Sequence, residues 1–193
     1  MQSVSISLLT ICGIEELPSH AERKVTHILS VLDPETPDPE AFRDFAPHER
    51  TILRFHDIIE DLPGMEMPRR DHVEKVLAFG DELAKSCDLR EDGHLLVHCH
   101  MGVSRSTASM VMLMAQAQPE ISEDDLFVRL VAIRPQAWPN SVMVDYADEI
   151  LGRDGRFGAA LRRHYGRQIK RDPHFATWMT EIGRKREVDM ATD

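Results

Sequence analysis

Val4, Ile6 and Leu8 alternate with serines ahead of Leu9 and Ile11, a period of two that predicts a half-buried strand ended by Gly13. Thr26 to Leu32 predicts a second strand, closed by the proline-rich loop from Asp33 to Pro39. Thr51 to His56 predicts a third, which runs directly into Asp57. From Asp71 to Cys87 the apolar positions Val73, Val76, Leu77, Leu83 and Ala84 recur at helical spacing. Asp71 with Glu74 three residues on reads as a capping box for that helix. His94 to His98 is too short for a useful amphipathic face and predicts a buried strand introduced by Gly93.

The remainder reads as helical. Ser106 to Gln118 is apolar on most sides, as in a central helix. Ser122 caps a helix that stops near Ile133, before Pro135, and Asn140 caps another through Leu151. Phe157 to Lys170 predicts a further helix. Strands in the first half and helices in the second predict an α/β fold, with a small, mostly parallel (mixed) central sheet flanked by helices. Residues 1–151 are expected to form one domain. Residues 152–193 then form a helical extension packed through Phe157, Leu161 and Ile169, loosely ordered after Thr180.

The chain has 193 residues, 42% hydrophobic and 29% charged, which fits a globular domain rather than a disordered chain. The longest apolar run, Ala108 to Ala117, is too short to span a membrane. No secretory signal is read at the N-terminus. Cys12, Cys87 and Cys99 are odd in number and lack metal-like spacing, which favours a reducing, cytoplasmic setting over a disulfide scaffold. Net charge is −10, so nucleic acid is not an expected partner. The charge is uneven: residues 152–193 carry 10 Lys/Arg against 6 Asp/Glu, and a basic face of Arg156, Arg163, Arg167 and Lys170 is expected on their helix. A solvated amphipathic helix is the plain reading of that face, and an acidic partner the sharper one.

The stretch Leu95-Leu96-Val97-His98-Cys99-His100-Met101-Gly102-Val103-Ser104-Arg105-Ser106-Thr107 carries the chemistry. A buried strand delivers a cysteine, a short loop follows, and a helix begins. Helix N-terminal N–H groups lack internal partners and present positive potential, so a loop curled over them makes an anion site. Gly102 supplies a turn where a Cβ would clash. Arg105 can grip two oxygens of a phosphate at once. The same field favours the thiolate of Cys99, whose ordinary pKa is about 8.5. The Ser106 hydroxyl is placed to donate to that sulfur.

His98-Cys99, five residues, then Arg105-Ser106 resembles the signature of the cysteine-dependent protein tyrosine phosphatase superfamily. Gly102 and the ending Ser104-Arg105-Ser106 are most similar to its dual-specificity phosphatase branch. The likeness extends to Arg134-Pro135 and Pro139-Asn140 and covers roughly residues 4–150. It implies the phosphatase fold and a phosphomonoesterase that passes through a cysteinyl-phosphate, with no metal and no cofactor. It also implies roles: Cys99 as nucleophile, and Arg105 with the loop residues His100, Met101, Gly102, Val103 and Ser104 as the phosphate cradle. Ser106 eases expulsion of the sulfur, and His98 stands behind the loop. The general acid comes from an upstream loop, where Asp57 is the matching residue, with Asp61 and Glu60 as rivals.

A phosphorylated protein or peptide is the expected substrate, phosphotyrosine before phosphoserine or phosphothreonine, and no membrane association is expected. The loop lacks the lysines of phosphoinositide-directed relatives. A nucleotide, an RNA 5′-end or an inositol lipid remains an alternative, as does a phosphate-binding module with little turnover. Oligomeric state is not legible. The spacing of His98, Cys99 and His100 is too tight for one zinc ion.

Overall fold

The computed structural model describes residues 6–87 and 93–192, so Val4 lies outside the described residues. Four strands form one sheet in the order β1-β4-β2-β3: β1 (Ile6–Cys12), β2 (His27–Leu32), β3 (Glu49–Arg54) and β4 (Gly93–His98). All three pairings are parallel, so the mixed element allowed by the sequence pattern is absent among the described strands. Thr10 pairs with Leu96 and Ile28 with the same residue from the other side, which puts β4 and β2 in the middle. Both read as continuous buried runs, as central parallel strands do. β3 is an edge strand two residues earlier than expected. Beyond it, the His56 N–H turns away to Glu66 O (2.8 Å).

Seven helices follow in the described chain: α1 (Arg70–Cys87), α2 (Arg105–Ala117), α3 (Glu123–Ile133), α4 (Ser141–Ile150), α5 (Arg156–Arg171), α6 (His174–Glu181) and α7 (Lys185–Asp189). The odd residues of β4, Leu95, Val97 and then Cys99, face the large core shared with α1 to α6. Leu96 faces a smaller core with Cys12, Leu17 and Ile28, covered by two short 3-10 segments at Ile14–His20 and Glu40–Asp44. α2 is buried along nearly its whole length. No helix among the described residues is long and apolar enough to cross a membrane.

Caps at Ser122 and Asn140 form as the sequence suggests, accepting from Asp125 N (3.2 Å) and Met143 N (3.3 Å). Asp71 does not cap α1. The helix already includes Arg70, and Asp71 pairs instead with Arg69 Nε (3.0 Å) and Lys75 Nζ (3.2 Å).

The segment after residue 151 docks on the helical face. Asp148 receives the N–H groups of Gly155 (2.6 Å), Phe157 (2.7 Å) and Gly158 (3.1 Å), anchoring the start of α5. Phe157 and Leu161 are fully buried. The basic face of α5 is answered within the chain: Arg156 meets Glu123 (2.9 Å), while Arg163 and Arg167 meet Asp124 (2.6 and 3.1 Å). The acidic first turn of α3 thus supplies carboxylates to three of the four residues of that face. The expectation of loose order after Thr180 is overturned. Gly183 turns at φ +82° into α7, where Arg184 and Glu187 are among the most buried charged groups of the protein.

Candidate active site

The loop from Cys99 to Ser104 connects the carboxyl end of β4 to the N-terminus of α2. Gly102 makes its turn at φ +67°, and a Cβ there would sit 2.5 Å from the backbone carbon of Cys12. Only glycine satisfies both conditions. Gly13, at the end of β1, approaches as closely: its Cβ would lie 2.7 Å from His100 O. Arg134 braces the loop from below, donating from Nε to Gly102 O (2.9 Å) and from its terminal nitrogen to Met101 O (3.0 Å). Glu16 in turn holds Arg134 with both oxygens (2.8 and 2.7 Å). Ser104 stands at the cap position of α2, but its hydroxyl makes no cap bond and donates to Asp57 Oδ1 (2.7 Å).

Cys99 lies at the floor of a pocket of about 280 Å³, 2% exposed, with its Sγ 3.1 Å from Ser106 Oγ. Arg105 lines the same pocket and is equally buried. Its terminal nitrogen donates to Asp33 Oδ1 (2.6 Å) and Phe55 O (2.5 Å). Its Nε has no hydrogen-bond partner among the described residues. Such a buried donor fits an anionic oxygen. Asp33, at the carboxyl end of β2, also lies 3.6 Å from His100 Nδ1, and His100 Nε2 meets Thr36 Oγ1 at 2.9 Å.

Asp57 is held on one oxygen. Oδ1 accepts from Ser104 Oγ (2.7 Å), Asn140 Nδ2 (3.0 Å) and Arg184 (2.9 Å), while Oδ2 lies 3.9 Å from Arg105 Nε. Burial pushes this carboxyl upward, but Arg184 first, then Arg105, and the bonds from Ser104 and Asn140 outweigh it. Asp57 is thereby held below the usual carboxylate range.

His100, Met101, Val103, Ser104, Arg105, Cys99 and Asp57 all face this one pocket. Ser106 touches the sulfur from behind, and Gly102 shapes the loop without lining the pocket. His98 sits on the other face of the sheet, its Nε2 2.7 Å from Ser30 Oγ and its ring against Phe42. Burial first, then the nearby Arg50, lowers its pKa to about 3 and keeps it neutral. Glu60 and Asp61 are exposed and do not line the pocket. Cys12 faces the smaller core, opposite Cys99, and burial pushes its thiol up to about 12.

Sequence reasoning missed Asp33 and the far side of the pocket, where Met65, Trp178, Met179, Ile182 and Arg184 complete the wall. Asp33 carried one signal, its place at the carboxyl end of a central parallel strand, where open α/β sheets put their ligand sites. Arg184 carried none: 80 residues separate it from Ser104, which it touches at 3.0 Å.

No protein-family model matches the chain, and a comparison with curated proteins finds no match. Solved structures do match. Human DUSP28 aligns at a TM-score of 0.54 and 20% identity, over 79% of this chain and 99% of that one. DUSP15 aligns at 0.53 and 23%, over 85% and 94%. The human tyrosine phosphatase-like serine/threonine/tyrosine-interacting protein aligns at 0.53 and 18%, over 74% and 87%. The likeness at these identities is one of fold. The chain has the fold of the cysteine-dependent tyrosine phosphatases, in the form shared by their dual-specificity branch.

Proposed function

We propose that the protein is a cysteine-dependent phosphomonoesterase that acts on phosphotyrosine in a protein or peptide, with tolerance of phosphoserine and phosphothreonine. The observation that carries this reading is the juxtaposition of Cys99 Sγ and Ser106 Oγ (3.1 Å) at the floor of a pocket that Arg105 and Asp57 both line. Cys99 attacks phosphorus as the thiolate, and the ester oxygen leaves with a proton from Asp57, whose neutral form the negative charge of the bound phosphate favours against the pull of Arg184 and Arg105. Arg105 and the loop amides from His100 to Arg105 hold the equatorial oxygens. Asp57, now a carboxylate, takes a proton from the water that attacks the cysteinyl-phosphate. Phosphate departs, and Ser106 donates to the returning thiolate. Every step is supplied by side chains and backbone, without a metal or cofactor.

The mouth of the pocket supports an aromatic ester. Met65, Met101 and Ile182, three of the most exposed large apolar side chains, gather there with Trp178. Of the two arginines lining the pocket, Arg105 keeps its Nε for the transferred phosphoryl group, while Arg184 is spent on Asp57 and Glu187. The additional phosphates of a nucleoside polyphosphate or an inositol polyphosphate therefore meet no second unspent arginine or lysine among the described lining residues. The two buried free thiols, Cys12 and Cys99, suit a reducing setting such as the cytoplasm. In domain terms, residues 1–151 hold the loop, and the extension 152–193 closes the pocket.

One similar structure is that of a phosphatase-like interacting protein, so the fold alone does not decide turnover. Here the thiol, the arginine and a pocket carboxylate are all present, which favours catalysis. The test compares kcat/KM for a phosphotyrosine peptide, a phosphoserine peptide, a nucleoside monophosphate, a 5′-phosphorylated RNA and an inositol phospholipid. The phosphotyrosine peptide is expected to lead. A nucleotide, RNA end or lipid in first place overturns the substrate assignment, and absence of turnover on all five overturns the enzyme reading.

A further inference from the structure

We propose that Arg184, from the C-terminal segment, is the residue that positions the acid Asp57, so that this segment is a working part of the site. This rests on the reading of Asp57 as general acid. Arg184 is 3% exposed and makes bonds in two directions. One terminal nitrogen donates to Asp57 Oδ1 (2.9 Å) and Ser104 Oγ (3.0 Å). Its Nε and other terminal nitrogen donate to the two oxygens of Glu187 (3.0 and 2.8 Å). Glu187 is fully buried and also accepts from Trp138 Nε1 and Ser141 N, each at 2.7 Å.

The ring closes on the catalytic loop. Trp138 N donates to Val103 O (2.9 Å), and Asn140, next to Ser141, donates to Asp57 Oδ1 (3.0 Å). Asp33, Arg105, Asp57, Arg184 and Glu187 thus alternate in charge, with Asp57 between the two arginines. Pinning Oδ1 with three donors fixes the rotation of the carboxyl group. Oδ2, on the Arg105 side, is left as the oxygen to carry the proton.

The groups facing Asp57 are Ser104 and Arg105 from the start of α2, Asn140 ahead of α4, and Arg184 ahead of α7. Asp33 and Glu187 act through the two arginines, and the Cys99 thiol shares the pocket. Removing the Arg184 charge leaves burial less opposed, so protonated Asp57 persists to higher pH.

The test uses the full chain with Arg184→Gln/Glu187→Gln, which removes both buried charges together and avoids stranding Glu187. Two esters are compared, a phosphotyrosine peptide and dinitrophenyl phosphate, whose leaving group needs no proton. The alkaline limb of the pH–kcat profile on the peptide is expected to move to higher pH. At the wild-type optimum, kcat on the peptide is expected to fall about tenfold, a part of the roughly hundred- to ten-thousandfold that general acid catalysis contributes, and to change less than about threefold on dinitrophenyl phosphate. An unmoved limb, or equal losses on both esters, overturns the proposal. Arg184→Lys keeps the charge beside Glu187 but cannot span all its partners. It should retain the limb and still lose rate on the peptide; full peptide activity in that variant also overturns the proposal. Asp57→Asn separates the two failures. A limb that survives in Asp57→Asn overturns the assignment of the acid, whereas a limb lost there but unmoved in the double variant overturns only the role of Arg184.

Discussion

Asp33 Oδ1 lies 2.6 Å from a terminal nitrogen of Arg105, so a carboxylate from the end of β2 sets the orientation of the arginine that lines the pocket above Cys99. With Phe55 O on the same nitrogen, the guanidinium is held in place before any substrate arrives. Preorganised donors of this kind do not have to reorient during the reaction.

Asp33→Ala should therefore loosen Arg105. A hydrogen bond to a charged group contributes about 1.5–3 kcal/mol, and Asp33 is partly exposed, so the lower end of that range is expected in chemical denaturation. Orthovanadate inhibition should weaken about tenfold. Unchanged inhibition means that Arg105 is oriented by Phe55 O and packing alone.

Ser106→Ala removes the hydroxyl 3.1 Å from Cys99 Sγ. A bond to the departing thiolate in the same range corresponds to about ten- to a hundredfold in rate. The loss should fall on hydrolysis of the intermediate, giving a burst of phenol followed by a slower steady state. A loss without a burst places Ser106 in the attack step instead.

Gly102→Ala introduces a Cβ 2.5 Å from the Cys12 carbonyl carbon at a positive φ. Left-handed backbone costs a residue with a side chain about 1–3 kcal/mol before any clash is counted. For a chain of this size that lowers Tm by roughly 2–12 °C, with activity lost as the loop shifts off its seat on Gly13. A Tm equal to that of the wild type contradicts the close approach of the loop to β1.

The pH dependence of stability has a definite sign. Burial lowers the pKa of His98 to about 3 and of His164 to about 4, both below the ordinary 6.5. Between pH 6.5 and those values the unfolded chain binds more protons than the folded one, so stability falls as pH drops through that window. Asp57 adds a loss at lower pH, as the solution passes below the ordinary carboxylate value of 3.8 and then its lowered folded one. Urea midpoints at pH 7.5, 6 and 5 should decline in that order, and His164→Gln should flatten part of the decline. A midpoint that rises toward pH 5 contradicts the burial of neutral histidines.

Much of this was legible in the chain. The run from Leu95 to Thr107 announced strand, loop and helix together, because β4 is buried on both faces and α2 is apolar all round. The caps at Ser122 and Asn140 were equally plain, each being a local bond three residues long. Asp71 misled because its side chain found Arg69 and Lys75 before any backbone N–H. The edge strand β3 was displaced because its end is set by pairing with β2 rather than by its own pattern. The roles of Asp33, marked only by its place after β2, and of Arg184, marked by nothing, were hidden for a different reason. Their partners are long-range charges, and a lone acid in a proline-rich loop or a lone arginine near the end of a chain looks solvated until the fold brings its partner up.

The most direct measurement is intact-protein mass spectrometry after acid quench, with the phosphotyrosine peptide as substrate and Ser106→Ala used to slow breakdown. One phosphoryl group is expected on the protein, mapping to Cys99 and absent in Cys99→Ser, which should also lose all turnover. Turnover that persists in Cys99→Ser, or a phosphoryl group on any other residue, contradicts the account.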